Sequence, residues 1–343
     1  MHLVLTLLIG NAAEETVIQP KVVTEPVPHD SDDPAIWINR ADPPASLVIG
    51  TDKDSDGGLY AFNLDGKIVA SVKNLKRPNN VDILTGFMLD GKPTDIAVLT
   101  EREMMRLRVF RLPDLTPLDA GNLTVFEGEA EREPMGIALY QRPADKAAFA
   151  IIGRKTGPKD GYLWQYRLMD GGQGKVGISL VRKFGEFSGE KEIESIAVDA
   201  GSGSVYYSDE RHGISEYAAD PDAANADKRL SLFGADGFTK DREGISVYPL
   251  DGGKGYLLVS DQEANAFRIF RREGREHGFL KSVRVAAQES DGSDTTNIPL
   301  GPKYPSGMFV AMSTDKTFHF YSWDDIAGDD LKRAPNGVVA PAK

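Results

Sequence analysis

The sequence predicts an all-β chain closed into a six-bladed β-propeller of four-stranded antiparallel blades. Three observations carry that prediction: one hairpin unit recurs six times, a second column of strand starts recurs upstream of it, and no long helical periodicity interrupts them. The unit is an apolar strand, a small residue, two or three polar or charged residues, a turn and an aromatic-rich strand. Its small-residue anchors are Thr51, Thr100, Gly153, Ser208, Ser260 and Ser313, spaced by 49 to 55 residues, close to the roughly 40 to 50 of a propeller blade. The upstream column reads DPAIWI, NNVDIL, MGIALY, ESIAVD and EGISVY, with a blurred sixth copy at 304–309. Two strands are visible per unit and the spacing leaves room for two more. A closed ring of such blades leaves only short, protected edges.

Taken in order, Met1–Ala13 (MHLVLTLLIGNAA) is a short apolar run with only His2 before it. A signal peptide carries a basic start and a longer apolar core, so the segment is left open between an export-signal remnant and a disordered start. Residues 1–20 are assigned to it and 21–343 to a single propeller domain; an export signal would place the protein in the periplasm or outside the cell. The strand-like piece Val17–Val23 is expected to close the ring against the last blade. Asp30, Asp32 and Asp33 then precede Pro34, which sets the entry to the first inner strand.

In blade one, Asp52, Lys53, Asp54 and Asp56 look like the start of an EF-hand loop, but the position of its final glutamate falls on Asn63, which excludes that motif. Asn79 and Asn80 take the place of Asp32 and Asp33 one repeat later. Arg102 matches Lys53 in blade two, and Lys155, with Arg154 directly beside it, matches it in blade three. Blades four and five reverse the sign, with Glu210 and Gln262 in that column and Glu194, Asp241 and Glu243 upstream. Asp291 and Asp294 lie in the Gly/Ser-rich loop that opens the last repeat. A helical turn or two is expected near DDIAGDDLKR, and the tail after Asp325 is expected to fray. Trp37, Trp164, Trp323 and Met135 read as packing residues.

Equivalent positions of successive blades share a face, so one rim should be basic on one side and acidic on the other. That segregation suits a ligand with several negative groups, bridged by cations to the acidic half. Carboxylate and carboxamide oxygens are hard donors that fit Ca²⁺. The net charge of −12 disfavours nucleic acid and anionic membranes as partners, and no stretch has the roughly 20 apolar residues needed to span a bilayer. The absence of cysteine excludes disulfides, zinc thiolates and a cysteine nucleophile. The five histidines are scattered and no G-x-S-x-G elbow occurs, so neither phosphohistidine chemistry nor a serine triad is supported. Two other classes remain: a non-catalytic calcium-stabilised binding platform, and another calcium-dependent propeller hydrolase of the lactonase kind.

The stretches DDPAIWIN, SLVIGTDK, GGLYAFNLDGK, RPNNVDI, ESIAVD, DREGISVY, GKGYLLVSDQ and LGPKYPSGMFVA resemble the β-propeller phytases, the alkaline, calcium-dependent family. The resemblance covers about residues 30 to 325. It implies a 3-phytase-like phosphomonoesterase that releases phosphate from inositol hexakisphosphate by metal-activated water, with several Ca²⁺ ions at one end of the central channel; a monomer is expected because propellers commonly are monomeric. Matched positions make Asp32, Asp33, Asn79, Asn80, Glu194, Glu210, Asp241, Glu243, Gln262 and Asp291 the implied metal set. Lys53, Arg102, Arg154 and Lys155 are the implied substrate-binding cations, and Glu194 and Glu243 with Lys53, Arg102 and Arg154 the implied catalytic group. The chain departs from the family at Asp54, where a second lysine is usual, at Met135, where a tyrosine stands, at Thr296, where an acid stands, and at Thr317, where an asparagine stands.

Overall fold

The structure, a computed structural model, describes residues 16–334; the open reading of Met1–Ala13 falls outside them. The chain forms six antiparallel sheets in sequence order. Their innermost strands are Ser31–Trp37, Pro78–Leu89, Pro134–Gln141, Ile196–Asp199, Arg242–Pro249 and Ser293–Thr296, and each packs beside the next around a ring. The predicted six-bladed propeller is the observed fold.

Burial explains why the strands read as they do. Second strands such as Leu47–Asp52 and Gly255–Asp261 are buried along their whole length, because a blade is covered on both faces by its neighbours. The outer strand Ile68–Leu75 instead alternates half-buried and exposed residues over most of its length, the period-2 pattern of a sheet edge facing water. The apolar side chains form six clusters, one at each junction between adjacent blades. Trp164 and Tyr166 pack between blades two and three, and Trp37 sits between blades one and two with its indole N–H donated to Asp95.

Ring closure follows the expectation. Val22–Val23 forms the outer strand of blade six, pairing with Thr317–Ser322. The chain is engaged even earlier: Ile18 bridges Val285, so ordered structure begins before the boundary at residue 20. At the other end the helix Trp323–Ala327 is capped by the Ser322 side chain. The segment beyond it does not fray through Ala334. Trp323 stacks on Tyr248 with ring centroids 3.6 Å apart and donates to the Lys332 carbonyl, while the Lys332 and Ala334 amides donate to Tyr256 and Tyr248. Polar, proline-rich composition concealed two buried anchors, Leu331 and Ala334.

Four inner strands share one irregularity. Their register with the second strand shifts between Ser31 and Pro34, Pro78 and Val81, Pro134 and Ile137, and Arg242 and Ile245. Such a bulge re-aims side chains at the end of a strand. Here it falls on Asp32/Asp33, Asn79/Asn80, Met135/Gly136 and Glu243/Gly244, with Glu194/Ser195 and Asp291/Gly292 at the matching points of blades four and six. This ring sets the site.

Candidate active site

The bulge ring is stitched together from blade to blade. Asp33 accepts the Val81 amide through Oδ2 at 3.0 Å, and Ser195 accepts the Ile245 amide at 2.8 Å. Asn79 donates through Nδ2 to Asp32 at 3.0 Å and to Glu194 at 2.6 Å. It thus reaches past blade three, whose ring position is the apolar Met135. Gly136 beside it has a packing cause: a Cβ there would lie 1.5 Å from the Glu194 carbonyl oxygen, so only glycine lets blades three and four approach this closely.

The second column sits directly above. The amides of Lys53, Arg102, Lys155, Glu210 and Gln262 donate to the carbonyls of Asp30, Arg77, Glu133, Glu192 and Asp241, each two residues before a ring position. These five are therefore structural equivalents, with Lys155 as the blade-three member. Arg154 occupies the preceding position, that of Asp52, Glu101, Asp209 and Asp261. In those four blades the carboxylate accepts backbone amides of the incoming loop. In blade three the polarity is inverted, and Arg154 donates to Glu129 and to the Glu131 carbonyl. Its guanidinium lies over Phe126 at 4.9 Å and only 1% of the side chain is exposed. Arg154 is placed as a loop clamp within the blade, not as a group offered to a ligand.

Lys53 bridges Asp32 at 2.6 Å and Asp291 at 3.0 Å, and Gln262 donates to the other Asp291 oxygen at 2.6 Å. Lys155 pairs with Glu192 and Arg102 with Glu133 at 3.4 Å. The acidic half holds two carboxylate triads, Glu192/Glu194/Glu210 and Glu210/Asp241/Glu243, each with ligand oxygens within 4.8 Å of one another. Glu210 belongs to both. Lys191 inserts its ammonium into the second triad, bonded to Glu210, to Asp241 at 2.9 Å and to Glu243 at 3.1 Å. Asn80 neighbours Asn79, which donates to its carboxamide oxygen. Side-chain contacts thus join Lys53, Asp32, Asn79, Asn80, Glu194, Gln262 and Asp291, and Glu194 adjoins Lys155, Glu210, Asp241 and Glu243 through the triads, while Asp33 and Arg102 hold the equivalent positions of their own blades.

Electrostatics there are those of crowded, dry carboxyls. Burial pushes the Asp32 carboxyl up to about 8, Lys53 offsetting part of it, and pushes Glu210 up to about 8 against the pull of Lys191. Burial and then Glu210 hold the Glu243 carboxyl well above its ordinary range, and burial raises Glu194. Burial opposes the charge on Lys53 and Lys191, yet the surrounding acids, Asp32 and Glu243 foremost, hold both ammonium groups well above the usual lysine value. Oε1 of Glu210, Oε2 of Glu243 and Oδ1 of Asn79 are buried and accept no hydrogen bond among the described residues. Unpaired buried acceptors cost roughly 1 to 3 kcal/mol each, so hard oxygen donors are left to be satisfied by cations. The residues present fit a divalent metal.

Glu192 and Lys191 were not singled out in the sequence. Glu192 had a signal: an acid stands two residues before the ring position at Asp30, Glu133, Glu192 and Asp241. Of the departures, Met135 is buried and contributes its carbonyl to Thr100, Asp54 accepts the Asp56 amide within a turn, Thr296 accepts the Ile298 amide and Thr317 bonds Asp315. A larger cavity of about 350 Å³ opens at the opposite end of the channel. Aliphatic side chains (Ile36, Ile83, Val198, Val247) line it together with Asp82, Asp199, Asp251 and Asp294 against Arg40 and Arg272, and Arg272 is paired with Asp199 at 2.7 Å, so it is unsuited to a polyanion.

A closed propeller with carboxylate triads beside cationic side chains at one channel end offers oxygen donors that could hold a divalent cation and positive charge that could hold an anionic ester. The chain belongs to the phytase family, which matches residues 4–333, and is a phosphoric monoester hydrolase of that kind. It is 30% identical over 321 residues to the 3-phytase of Bacillus subtilis (strain 168), covering 87% of this chain and 80% of that one. In fold alone it is similar to a luciferin-regenerating enzyme, with a TM-score of 0.52 at 14% identity over 92% of this chain and 98% of the other. A chain of the mitotic checkpoint complex is similar in the same sense, with a TM-score of 0.51 at 10% identity over 94% and 98%.

Proposed function

We propose that this phosphomonoesterase releases phosphate from inositol polyphosphates at the channel end built by the bulge ring, with calcium held by the acidic triads. The observation that carries this reading is the pair of triads sharing Glu210, with unpartnered oxygens on Glu210 and Glu243, facing three cationic side chains of the first three blades. Glu192, Glu194 and Glu210 would hold one ion, and Glu210, Asp241 and Glu243 another. Asp32, Asp33, Asn79, Asn80, Gln262 and Asp291 extend the oxygen-rich surface. Calcium bound there supplies Lewis acidity that activates water and screens phosphate charge.

The chain's own residues do the remaining work. Lys53, Arg102 and Lys155 grip phosphate oxygens and orient the ester for in-line attack, Arg102 as a fork and the two lysines as point charges. Their partners, Asp32 and Asp291 for Lys53, Glu133 for Arg102 and Glu192 for Lys155, hold them in place before substrate arrives. Met135 supplies no hydrogen-bond donor, so the grip rests on these three cations. Two triads and three bases depart from the single central ion of the lactonase alternative. Phosphate release from inositol hexakisphosphate by purified protein, measured with added calcium and with excess chelator, tests the reading. Release that requires calcium supports it; release undiminished by chelator contradicts it.

A further inference from the structure

Lys191 has no counterpart in either repeat column. It lies in the irregular segment between the strands Val176–Glu186 and Ile196–Asp199, with its own φ at +64°, in the left-handed region that non-glycine residues seldom adopt. This unusual backbone points the side chain into the Glu210/Asp241/Glu243 triad, where its ammonium bonds all three acids. A cation therefore already stands where three buried carboxylates converge. In the neighbouring triad Glu192/Glu194/Glu210 no ammonium bonds all three acids: Lys155 bonds Glu192 and Lys191 reaches only the shared Glu210.

We infer that Lys191 is a built-in counter-ion that competes with the metal at the Glu210/Asp241/Glu243 position, making the two triads unequal. This rests on the calcium reading above. The ammonium neutralises one charge and, with Arg211 on the other Asp241 oxygen at 2.9 Å, satisfies Asp241, but leaves Glu210 Oε1 and Glu243 Oε2 unpartnered; a divalent ion with six to eight oxygen ligands satisfies them as well. The Lys191-in state is thus stable without metal and displaceable by it. With the side chain 30% exposed on an irregular segment, its way out is open to solvent. Loading then has an order: the Glu192/Glu194/Glu210 position fills first, and the second fills only as Lys191 swings away. Site affinity is reduced by the fraction of chains in the competent, Lys191-out state. Calcium concentration would accordingly switch the second position between lysine and metal.

The test compares calcium binding by the full chain and by Lys191→Met and Lys191→Arg, using isothermal titration in the forward direction and chelator-driven release from the loaded protein in the reverse. The reverse direction keeps the test valid if Lys191→Met folds poorly without metal. If the competent state is about a tenth of the wild-type population, the weaker of two calcium steps tightens about tenfold in Lys191→Met. The tighter step shifts by less, through the shared Glu210 alone, and Lys191→Arg resembles the wild type. Equal or weaker calcium affinity in Lys191→Met overturns the inference. A wild type that binds no calcium while Lys191→Met binds it supports the competition and tells against calcium in the native reaction. Absence of binding in both sinks the inference and the calcium reading together.

Discussion

Asn79 of blade two donates one carboxamide nitrogen to both Asp32 of blade one and Glu194 of blade four, at 3.0 and 2.6 Å. A single neutral side chain thereby holds two buried carboxyls on either side of the apolar gap left by Met135. Replacing the donor by an acceptor reverses that role. Asn79→Asp should destabilise the metal-free protein by roughly 1 to 3 kcal/mol, the cost of a buried acceptor left unpaired. Calcium should then raise the melting temperature more in the variant than in the wild type. Denaturant unfolding with and without calcium reads both effects, and equal stability of the two metal-free proteins would remove Asn79 from this role.

Arg154 and Lys155 are adjacent in sequence and opposite in duty. Arg154→Met removes a buried donor to the Glu131 carbonyl and the Glu129 carboxylate, and should cost roughly 1 to 3 kcal/mol of stability. Lys155→Met leaves the buried Glu192 without its ammonium partner and should cost no more stability than that, while lowering kcat/KM for the phosphate ester about tenfold or more through a lost phosphate contact. Unfolding curves and steady-state rates on both variants separate these outcomes; a larger stability loss in Lys155→Met would invert the assignment.

Gly136 is held by contact. Gly136→Ala would set its Cβ 1.5 Å from the Glu194 carbonyl oxygen, and backbone on both sides would have to move. A loss of about 3 kcal/mol or more is expected, with weaker calcium binding because Glu194 is displaced. Thermal unfolding of the variant at wild-type stability would show that blades three and four tolerate separation here.

Acid–base linkage gives a pH dependence of definite sign. Burial holds the Asp32 and Glu210 carboxyls up at about 8 in the native chain, while unfolded carboxyls titrate near about 4. Between those values the metal-free native state binds more protons than the unfolded state, so its stability falls as pH rises. Calcium needs the ionised form, so its stabilising effect should grow from about pH 6 to about pH 8.5. Melting temperatures with calcium and with chelator at each pH provide the check. A calcium-induced gain larger at the acid end would contradict this account of the site.

The propeller was legible because each hairpin carries its own signal: an apolar strand, a small residue and an aromatic strand recur whatever lies between them. The ring was legible at Asp32, Asn79, Glu194 and Glu243 because polar residues opening an apolar strand stand out. Lys155 was legible as the column match in blade three, but Arg154 beside it was carried along as a site cation, since neighbouring residues of a strand point to opposite faces and only the register shows which one turns inward. Lys191 lies in a segment belonging to neither column, so its approach to three acids, all more than 15 residues away in sequence, exists only in three dimensions. The tail misled for a related reason. Its composition is polar, but Leu331 and Ala334 are buried against the tyrosines of blade five.

Glu210 is the residue on which the account converges, because both triads need its carboxylate. The most direct measurement is calcium stoichiometry by equilibrium dialysis, with phosphate release from inositol hexakisphosphate on the same samples, for the wild type and Glu210→Gln. The account predicts that Glu210→Gln, folded by circular dichroism, loses about two bound calcium ions and about a hundredfold or more of the rate, on the scale of an essential metal-assisted step. An unchanged calcium count with an unchanged rate would contradict it.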